Sequence, residues 1–473
     1  MSLHQGLTKE ILEGPKGPKV GAFFDLDRTL LAGFSAASFF FERLVSGRMA
    51  PKEISDSLLG ALSFSLGRTG FSGMMAASSA AYRGMSEEVL LEIGEEVFAK
   101  HLATQIYPES RALVEAHQAM GHTVAIISSA TRYQAEPLAR EMNIAQVLCT
   151  NLEVEDGVFT GKVVHPTCWG EGKAEAARTI ADQSDVDLEQ SYFYTDSDED
   201  LPLLEIVGRP RPLNPNRGLA QIAKERHWPV SRFTSRGTPG PGEWARTALA
   251  YASLAPSLGA GLVAGLVSGS RREAINTAAG LWGDLATSLS GVDLRVEGEE
   301  NLWVQRPAVF IFNHQSGFDL VLMAKLVRRD VTGVSKQEML NNPIFGPLLA
   351  ASGVVFIDRF DTARAIEALE PAVQALHEGL SLAIAPEGTR SLTPRLGRFK
   401  KGAFHMAMQA GVPIVPVVFR NVLDALPKDA LVVRPATVEV VILPPVDTSS
   451  WTVEGLDEEI EAIREQYLRV LGS

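Results

Sequence analysis

Two aspartates one residue apart, Asp25 and Asp27, directly follow the apolar run Val20–Phe24. Paired carboxylates at the end of a buried strand suit phosphoryl chemistry. One can attack phosphorus while the other protonates the leaving group and later recovers the proton. Three further elements follow in order. Ser128 closes a short apolar strand over 123–127 and can offer a hydroxyl to a phosphate oxygen. Lys173 opens a helix and can neutralise charge on a phosphoryl group in transit. Asp196, Asp198 and Asp200 follow a strand over 191–194 and supply hard oxygen ligands of the kind Mg²⁺ prefers.

A second constellation lies far downstream. In the run Asn313-His314-Gln315-Ser316-Gly317-Phe318-Asp319, the aspartate can reach back to orient the imidazole, and His314 can then take a proton from an alcohol. The run Pro386-Glu387-Gly388-Thr389-Arg390-Ser391 follows another apolar strand, and Arg395, Arg398, Lys400 and Lys401 come soon after. In a chain of net charge -13 such a basic cluster suggests a phosphate site, with Arg390 presenting a planar fork and Gly388 permitting close backbone approach. Lys336 and Arg359 add cations at strand ends.

The elements that must position these residues form two series. At 473 residues the chain exceeds what one hydrophobic core usually supports, so two domains are expected. Residues 1–19 read as a tail that mixes charges with Gly and Pro and lacks the apolar run of a secretory signal. Residues 20–228 alternate apolar strands with helices, interrupted by a charge-poor helical stretch and a hairpin centred on Asp156-Gly157. Residues 229–243 have a linker's composition. Residues 247–268 carry no charged side chain and precede a second semi-apolar helix containing Asp284, so 244–290 reads as a kinked helical hairpin. Residues 291–473 form a second α/β series. With 45% hydrophobic and 21% charged residues the composition is globular, and the acidic balance argues against nucleic-acid binding. The two cysteines, Cys149 and Cys168, have neither zinc-site nor redox spacing and fit a reducing compartment. Nothing in the sequence decides oligomeric state.

The four N-terminal elements resemble the motifs of haloacid dehalogenase-like phosphatases, in particular the phosphoserine-phosphatase-like branch with a helical cap, here about 35–105. The resemblance implies a Rossmann-like α/β domain. It implies Asp25 as nucleophile, Asp27 as acid/base, Ser128 and Lys173 as phosphate ligands, and Mg²⁺ held by Asp25, Asp27 and Asp196 with support from Asp200; Asp198 is a bystander. Phe34 stands where phosphoserine phosphatases place a glutamate that binds the substrate's amino group, which turns the expectation away from serine phosphate; with Phe64, Phe71, Met74 and Met75 in the cap it is compatible with a lipid phosphate or a related phosphomonoester, and ordinary helical packing accounts for these residues equally well.

The C-terminal segments NHQSGFD, FGPLLAASGVVFIDR, PEGTRS with FKKGAFHMA, and VPIVPV resemble the glycerolipid acyltransferases of the 1-acylglycerol-3-phosphate type. That resemblance implies a second α/β domain with a membrane-binding hairpin before it. It implies His314 as general base and Asp319 as its partner. Lysophosphatidate would be the acceptor, its phosphate bound by Lys336, Arg359, Glu387, Gly388, Thr389 and Arg390, and acyl-CoA or acyl-carrier protein the donor. Both reactions need cytosolic components, which places the expected attachment on one leaflet at the cytoplasmic face. The rival reading keeps only the acyltransferase active and makes the phosphatase fold a regulatory module; the intact Asp25, Asp27, Lys173 and Asp196 argue against it.

Overall fold

The computed structural model describes residues 5–49, 71–336, 354–357, 369–391, 393, 395–428 and 430–472. The chain divides into two compact units, Met1–Thr238 and Pro239–Ser473.

The first unit is built on a five-stranded parallel sheet in the order β3-β2-β1-β6-β7, with β1 Val20–Phe24, β2 Thr123–Thr131, β3 Gln146–Thr150, β6 Asp187–Thr195 and β7 Arg209–Pro212. Successive residues face opposite sides. Phe23, Ala125, Ile127 and Phe193 join the cluster under the helix Glu171–Ser184, whereas Ala22, Phe24, Ile126, Tyr192 and Tyr194 join the other. Both faces being covered explains why these strands read as continuous apolar runs rather than alternating ones. The chain leaves β1 toward β2 and β3 and later returns on the other side as β6. The C-terminal ends of β1, β2 and β6 thus meet at a topological switch point, where open α/β sheets bind ligands.

Above that edge lie the cap helices Ser35–Val45, Phe71–Ala80 and Glu87–Val97; residues 50–70 of the expected cap lie outside the described residues. The hairpin β4 Leu152–Glu155 and β5 Val158–Val163 turns at Asp156-Gly157, both at positive φ, and joins the cap where Ser79 Oγ donates to the Gly161 carbonyl at 3.1 Å. One boundary differs from expectation. Ser128 lies inside β2, which continues to Thr131 because β3 keeps pairing with it as far as Thr150, across an irregularity.

The second unit carries a seven-stranded sheet in the order β11-β10-β12-β9-β13-β14-β8. Its strands are β8 Val292–Glu297, β9 Val309–Phe312, β10 Val331–Lys336, β11 Val355–Ile357, β12 Ser381–Ile384, β13 Ile414–Phe419 and β14 Ala436–Ile442. All neighbours are parallel except β13 and β14. Central β9 and β13 are buried along their whole length.

Helices Pro241–Ala252, Leu254–Ser268 and Arg271–Ser290 precede the sheet. The first begins inside the expected linker, because Pro241 is pre-set for a first helical turn and Glu243 accepts from the Gly240 N–H at 2.6 Å. Small residues let these helices stack closely. A Cβ on Gly261 would sit 2.8 Å from the Ala278 methyl, and one on Gly283 would sit 2.6 Å from the Lys325 nitrogen in the helix Asp319–Val327. Asp284 is therefore not a stray charge in an apolar helix; it pairs with Arg328 at 2.8 Å and Lys325 at 3.4 Å. The layer farthest from the sheet is Leu254–Ser268. There Leu258, Leu262, Val263, Leu266 and Val267 are exposed, the last at 85%.

Candidate active sites

In the first unit the sheet edge gathers two buried carboxylates around one ammonium. Lys173 Nζ donates to Asp25 Oδ1 and to Asp200 Oδ2, each at 2.8 Å, and Thr195 Oγ1 donates to the same Asp200 oxygen at 2.5 Å. The lysine can sit there because its helix starts hard against a preceding turn, where a Cβ on Gly172 would lie 2.0 Å from the Thr167 carbonyl oxygen. Burial alone would lower the Lys173 pKa, but the Asp200 and Asp25 charges hold it above its ordinary value. With Oδ1 engaged, Asp25 Oδ2 is the oxygen left to attack. Asp200 holds Lys173 in place, a supporting role.

Asp27 is held separately. Its two oxygens accept from the Ser35 N–H at 2.8 Å and the Ser35 hydroxyl at 3.2 Å, and Gln134 Nε2 donates to that hydroxyl at 3.0 Å. Burial raises its pKa to about 7 against the opposing pull of Ser35, which suits a group that gives and takes a proton near neutrality. Ser128 is buried, and its Oγ accepts from the Ala130 N–H at 3.3 Å.

Asp196 follows β6 directly and pairs with Arg28 Nη1 at 3.0 Å. Its pKa is raised to about 7 by burial and by the nearby Asp25 charge. Two buried carboxylates that repel each other form a hard-oxygen pair whose joint ionisation a divalent cation would favour, so the donor set fits Mg²⁺. Among the described residues no three His, Cys, Asp or Glu side chains form a ready-made cage. That agrees with the habit of Mg²⁺, which uses one or two carboxylates and leaves the remaining positions to phosphate and water. Asp198 anchors the helix Arg217–Arg226 by accepting from Asn216 Nδ2 at 2.6 Å.

Sequence reasoning missed Ser35 and the Arg28 side chain. Arg28 has φ +60° and reaches from Asp196 to 5.9 Å from the centre of the Phe34 ring, itself 59% exposed. A charged residue directly after the second aspartate was the available signal.

In the second unit the loop after β9 is fixed by side chains that flank the catalytic groups. Asn313 exchanges two 2.8 Å hydrogen bonds with the Phe419 main chain, extending the β9–β13 pairing by one side chain. Ser316 Oγ donates to the Leu426 carbonyl at 2.7 Å. His314 Nδ1 then lies 2.8 Å from Asp319 Oδ2, which also accepts from the Gln315 and Ser316 N–H groups at 3.0 Å. A carboxylate can only accept here, so Nδ1 carries the proton and Nε2 is left as the base. Burial raises the Asp319 pKa, opposed by the bond from His314.

The PEGTRS segment sits beside this loop because β12 and β9 are adjacent parallel strands. Gly388 has φ +75°, a conformation that favours glycine. Thr389 is exposed and Arg390 half-buried. A Cβ on Gly317 would lie 3.8 Å from Arg390 Nη1, which puts the guanidinium against the His314 loop. Arg395, Arg398, Lys400 and Lys401 are exposed. Glu387 is buried and turned toward main-chain donors, its pKa raised by burial. Lys336 ends β10 with its side chain outside the described residues, and Arg359 lies wholly outside them.

Comparison with known proteins agrees with this division. The family model of haloacid dehalogenase-like hydrolases matches residues 22–205, and that of acyltransferases matches residues 293–420. A 1-acyl-sn-glycerol-3-phosphate acyltransferase of Limnanthes douglasii is 36% identical over 190 residues, covering 40% of this chain and 67% of that protein. A protein named a probable phosphatase from Mycobacterium tuberculosis is 33% identical over 227 residues, 46% of this chain and 76% of that one. The solved 1-acyl-sn-glycerophosphate acyltransferase of Thermotoga maritima aligns at 26% identity with a TM-score of 0.42, covering 49% of this chain and 96% of that one. The chain belongs to both families: its first unit is a haloacid dehalogenase-like hydrolase and its second an acyltransferase.

Proposed function

We propose that the second unit acylates lysophosphatidate to phosphatidate, using a CoA or carrier-protein thioester, at the cytoplasmic surface of a membrane. We propose that the first unit is a Mg²⁺-dependent phosphatase of a lipid phosphate or a related phosphomonoester. The observation that carries the acyltransferase reading is the 2.8 Å His314–Asp319 contact, which fixes the tautomer and leaves Nε2 basic. As the acceptor hydroxyl attacks the thioester carbonyl, Nε2 takes its proton and Asp319 balances the imidazolium; the C–S bond then breaks and the proton passes to the departing thiolate. Arg390 and the exposed cations after it are the groups for the acceptor's phosphate.

In the first unit, Asp25 Oδ2 attacks phosphorus while Lys173 offsets negative charge, and Asp27 protonates the leaving oxygen and then activates water to hydrolyse the aspartyl phosphate. Mg²⁺ held by Asp25 and Asp196 would add charge neutralisation at the phosphate oxygens. A lipid-like substrate is favoured by exposed Phe34 next to Asp27's anchor Ser35, and by Phe41, Leu44 and Val45 exposed farther along the same helix. Membrane attachment rests on the apolar outer face of Leu254–Ser268; the continuous stretch Pro241–Ser268 is only 22% buried over its most apolar window, with mean hydropathy 1.5. Lying in one leaflet, rather than spanning, is favoured by the ion-paired Asp284 on the neighbouring helix.

The test is product analysis with the full chain, lysophosphatidate and labelled acyl-CoA, with and without Mg²⁺. Phosphatidate that converts to diacylglycerol only with Mg²⁺ and an intact Asp25 supports both assignments. Absence of acylation, or acylation that survives His314→Ala, overturns the first. Hydrolysis confined to water-soluble phosphomonoesters overturns the lipid assignment of the second. Flotation with vesicles tests attachment: Leu262→Glu with Val263→Glu should leave the protein unbound.

A further inference from the structure

Glu387 stands in a segment expected to hold the acceptor's phosphate, yet an ionised carboxylate repels phosphate and has no hydrogen to donate. Its surroundings give it other work. Oε1 accepts from the main-chain N–H of His314 at 2.7 Å, and Oε2 accepts from the N–H of Gly397 at 2.8 Å. The same segment also takes the other polar group of that histidine's backbone, since the Ser391 N–H donates to the His314 carbonyl at 2.7 Å. Both main-chain groups of the base are thereby tied to the loop after β12. Downstream, Lys400 N–H donates to the Pro386 carbonyl at 2.9 Å, which closes 386–400 on itself. Gly397 leaves room for this arrangement, because a Cβ there would lie 2.7 Å from Glu387 Oε2.

We propose that Glu387 is a positioning residue for His314. It bridges the base's backbone to the loop carrying Arg390, Arg395, Arg398 and Lys400, so that Nε2 and the phosphate-binding cations keep one spacing. The acceptor hydroxyl and its phosphate belong to one molecule, so only a fixed spacing delivers the hydroxyl to Nε2. This rests on the acyl-transfer reading of the site and refines how it works.

The test is steady-state kinetics on the full chain with lysophosphatidate and acyl-CoA, comparing Glu387→Gln, Glu387→Leu and Gly397→Ala. Gln keeps one acceptor oxygen, Leu none, and Ala at 397 displaces the carboxylate without changing it. Misplacement of a catalytic group by about 1 Å costs on the order of 100-fold. The expected kcat losses are therefore about 10-fold for Gln and about 100-fold for Leu, with KM for lysophosphatidate within about threefold, and a smaller kcat loss for Gly397→Ala. A KM that rises while kcat holds would mean that Glu387 serves acceptor binding, and the proposal fails. An unchanged kcat in both Glu387→Gln and Gly397→Ala also overturns it. Should Glu387→Leu melt below the assay temperature, those two variants decide. His314→Ala run alongside separates the layers: if it keeps activity, the acyl-transfer reading itself has failed.

Discussion

Lys173 in the first unit and Glu387 in the second are both buried charges at the edge of a largely parallel sheet, but they are satisfied differently. Lys173 is held by two carboxylates, Asp25 and Asp200, and they by it. Glu387 is held by two peptide N–H groups. A mutually compensated cluster concentrates charge where phosphoryl transfer needs it, and removing one member leaves the others buried and unpaired. A carboxylate on main-chain donors fixes loop geometry, which is what proton transfer from a hydroxyl demands.

The sharpest way to break this comparison is to delete each site's reactive group. Asp25→Asn should abolish phosphatase turnover, by on the order of 10³-fold or more, while leaving acyl transfer unchanged. Asp319→Asn should do the converse. It can keep an acceptor oxygen near His314 Nδ1 but removes the charge that stabilises the imidazolium, so acyl transfer should fall by on the order of 10²-fold or more, with phosphatase turnover untouched. Both are read from the two activities of one preparation.

The next effect is on stability. Lys173→Met strands Asp25 and Asp200, both under 10% exposed, and should destabilise the first unit by about 3–5 kcal/mol, measured by urea unfolding. Asn313→Ala in the second unit removes a side chain making two hydrogen bonds to Phe419 and should cost about 1–3 kcal/mol. If Lys173→Met proved the milder of the two, the contrast between charge compensation and main-chain bracing would be wrong.

These examples also show what a sequence can carry. Asp25, Asp196 and His314 each stand within two residues of the end of an apolar run, so strand-end placement and chemistry are both local and readable. So is the pairing of His314 with Asp319, five residues apart on one turn. Contacts set by strand order are different. Asn313 meets Phe419 across 106 residues and Glu387 meets His314 across 73, because β9 lies between β12 and β13. Nothing local marks that order, so Glu387 read as one more ligand of a basic loop. Ser128 read as a strand end for the same reason: its strand runs on because of its neighbour β3.

The smallest expected effect concerns acid and the first unit alone. His117 is buried behind β1, its Nδ1 2.7 Å from His122 Nδ1 and its Nε2 2.8 Å from the Tyr194 hydroxyl, with the Phe24 ring 6.0 Å away. Burial, then the charges of His122, Arg211 and Arg209, hold its pKa well below 6.5. Below pH 6.5 the unfolded chain takes up a proton here that the folded chain refuses, so this imidazole's contribution to stability is full above that pH and declines beneath it. The loss should approach about 1.4 kcal/mol per pH unit. Hydrogen-exchange protection of the β1 and β6 amides, corrected for intrinsic rates, is to be compared between wild type and His117→Gln at pH 7.5, 6.5 and 5.5, because Asp27 and Asp196, with pKa values raised to about 7, push stability the other way as pH falls and are common to both proteins. His117→Gln, which cannot titrate, should differ from wild type by a constant amount between pH 7.5 and 6.5 and gain on it between pH 6.5 and 5.5. A difference between wild type and variant that stays constant down to pH 5.5 would mean that this imidazole pair already accommodates a proton in the folded unit, leaving Asp27 and Asp196 as the groups on which the unit's response to acid depends.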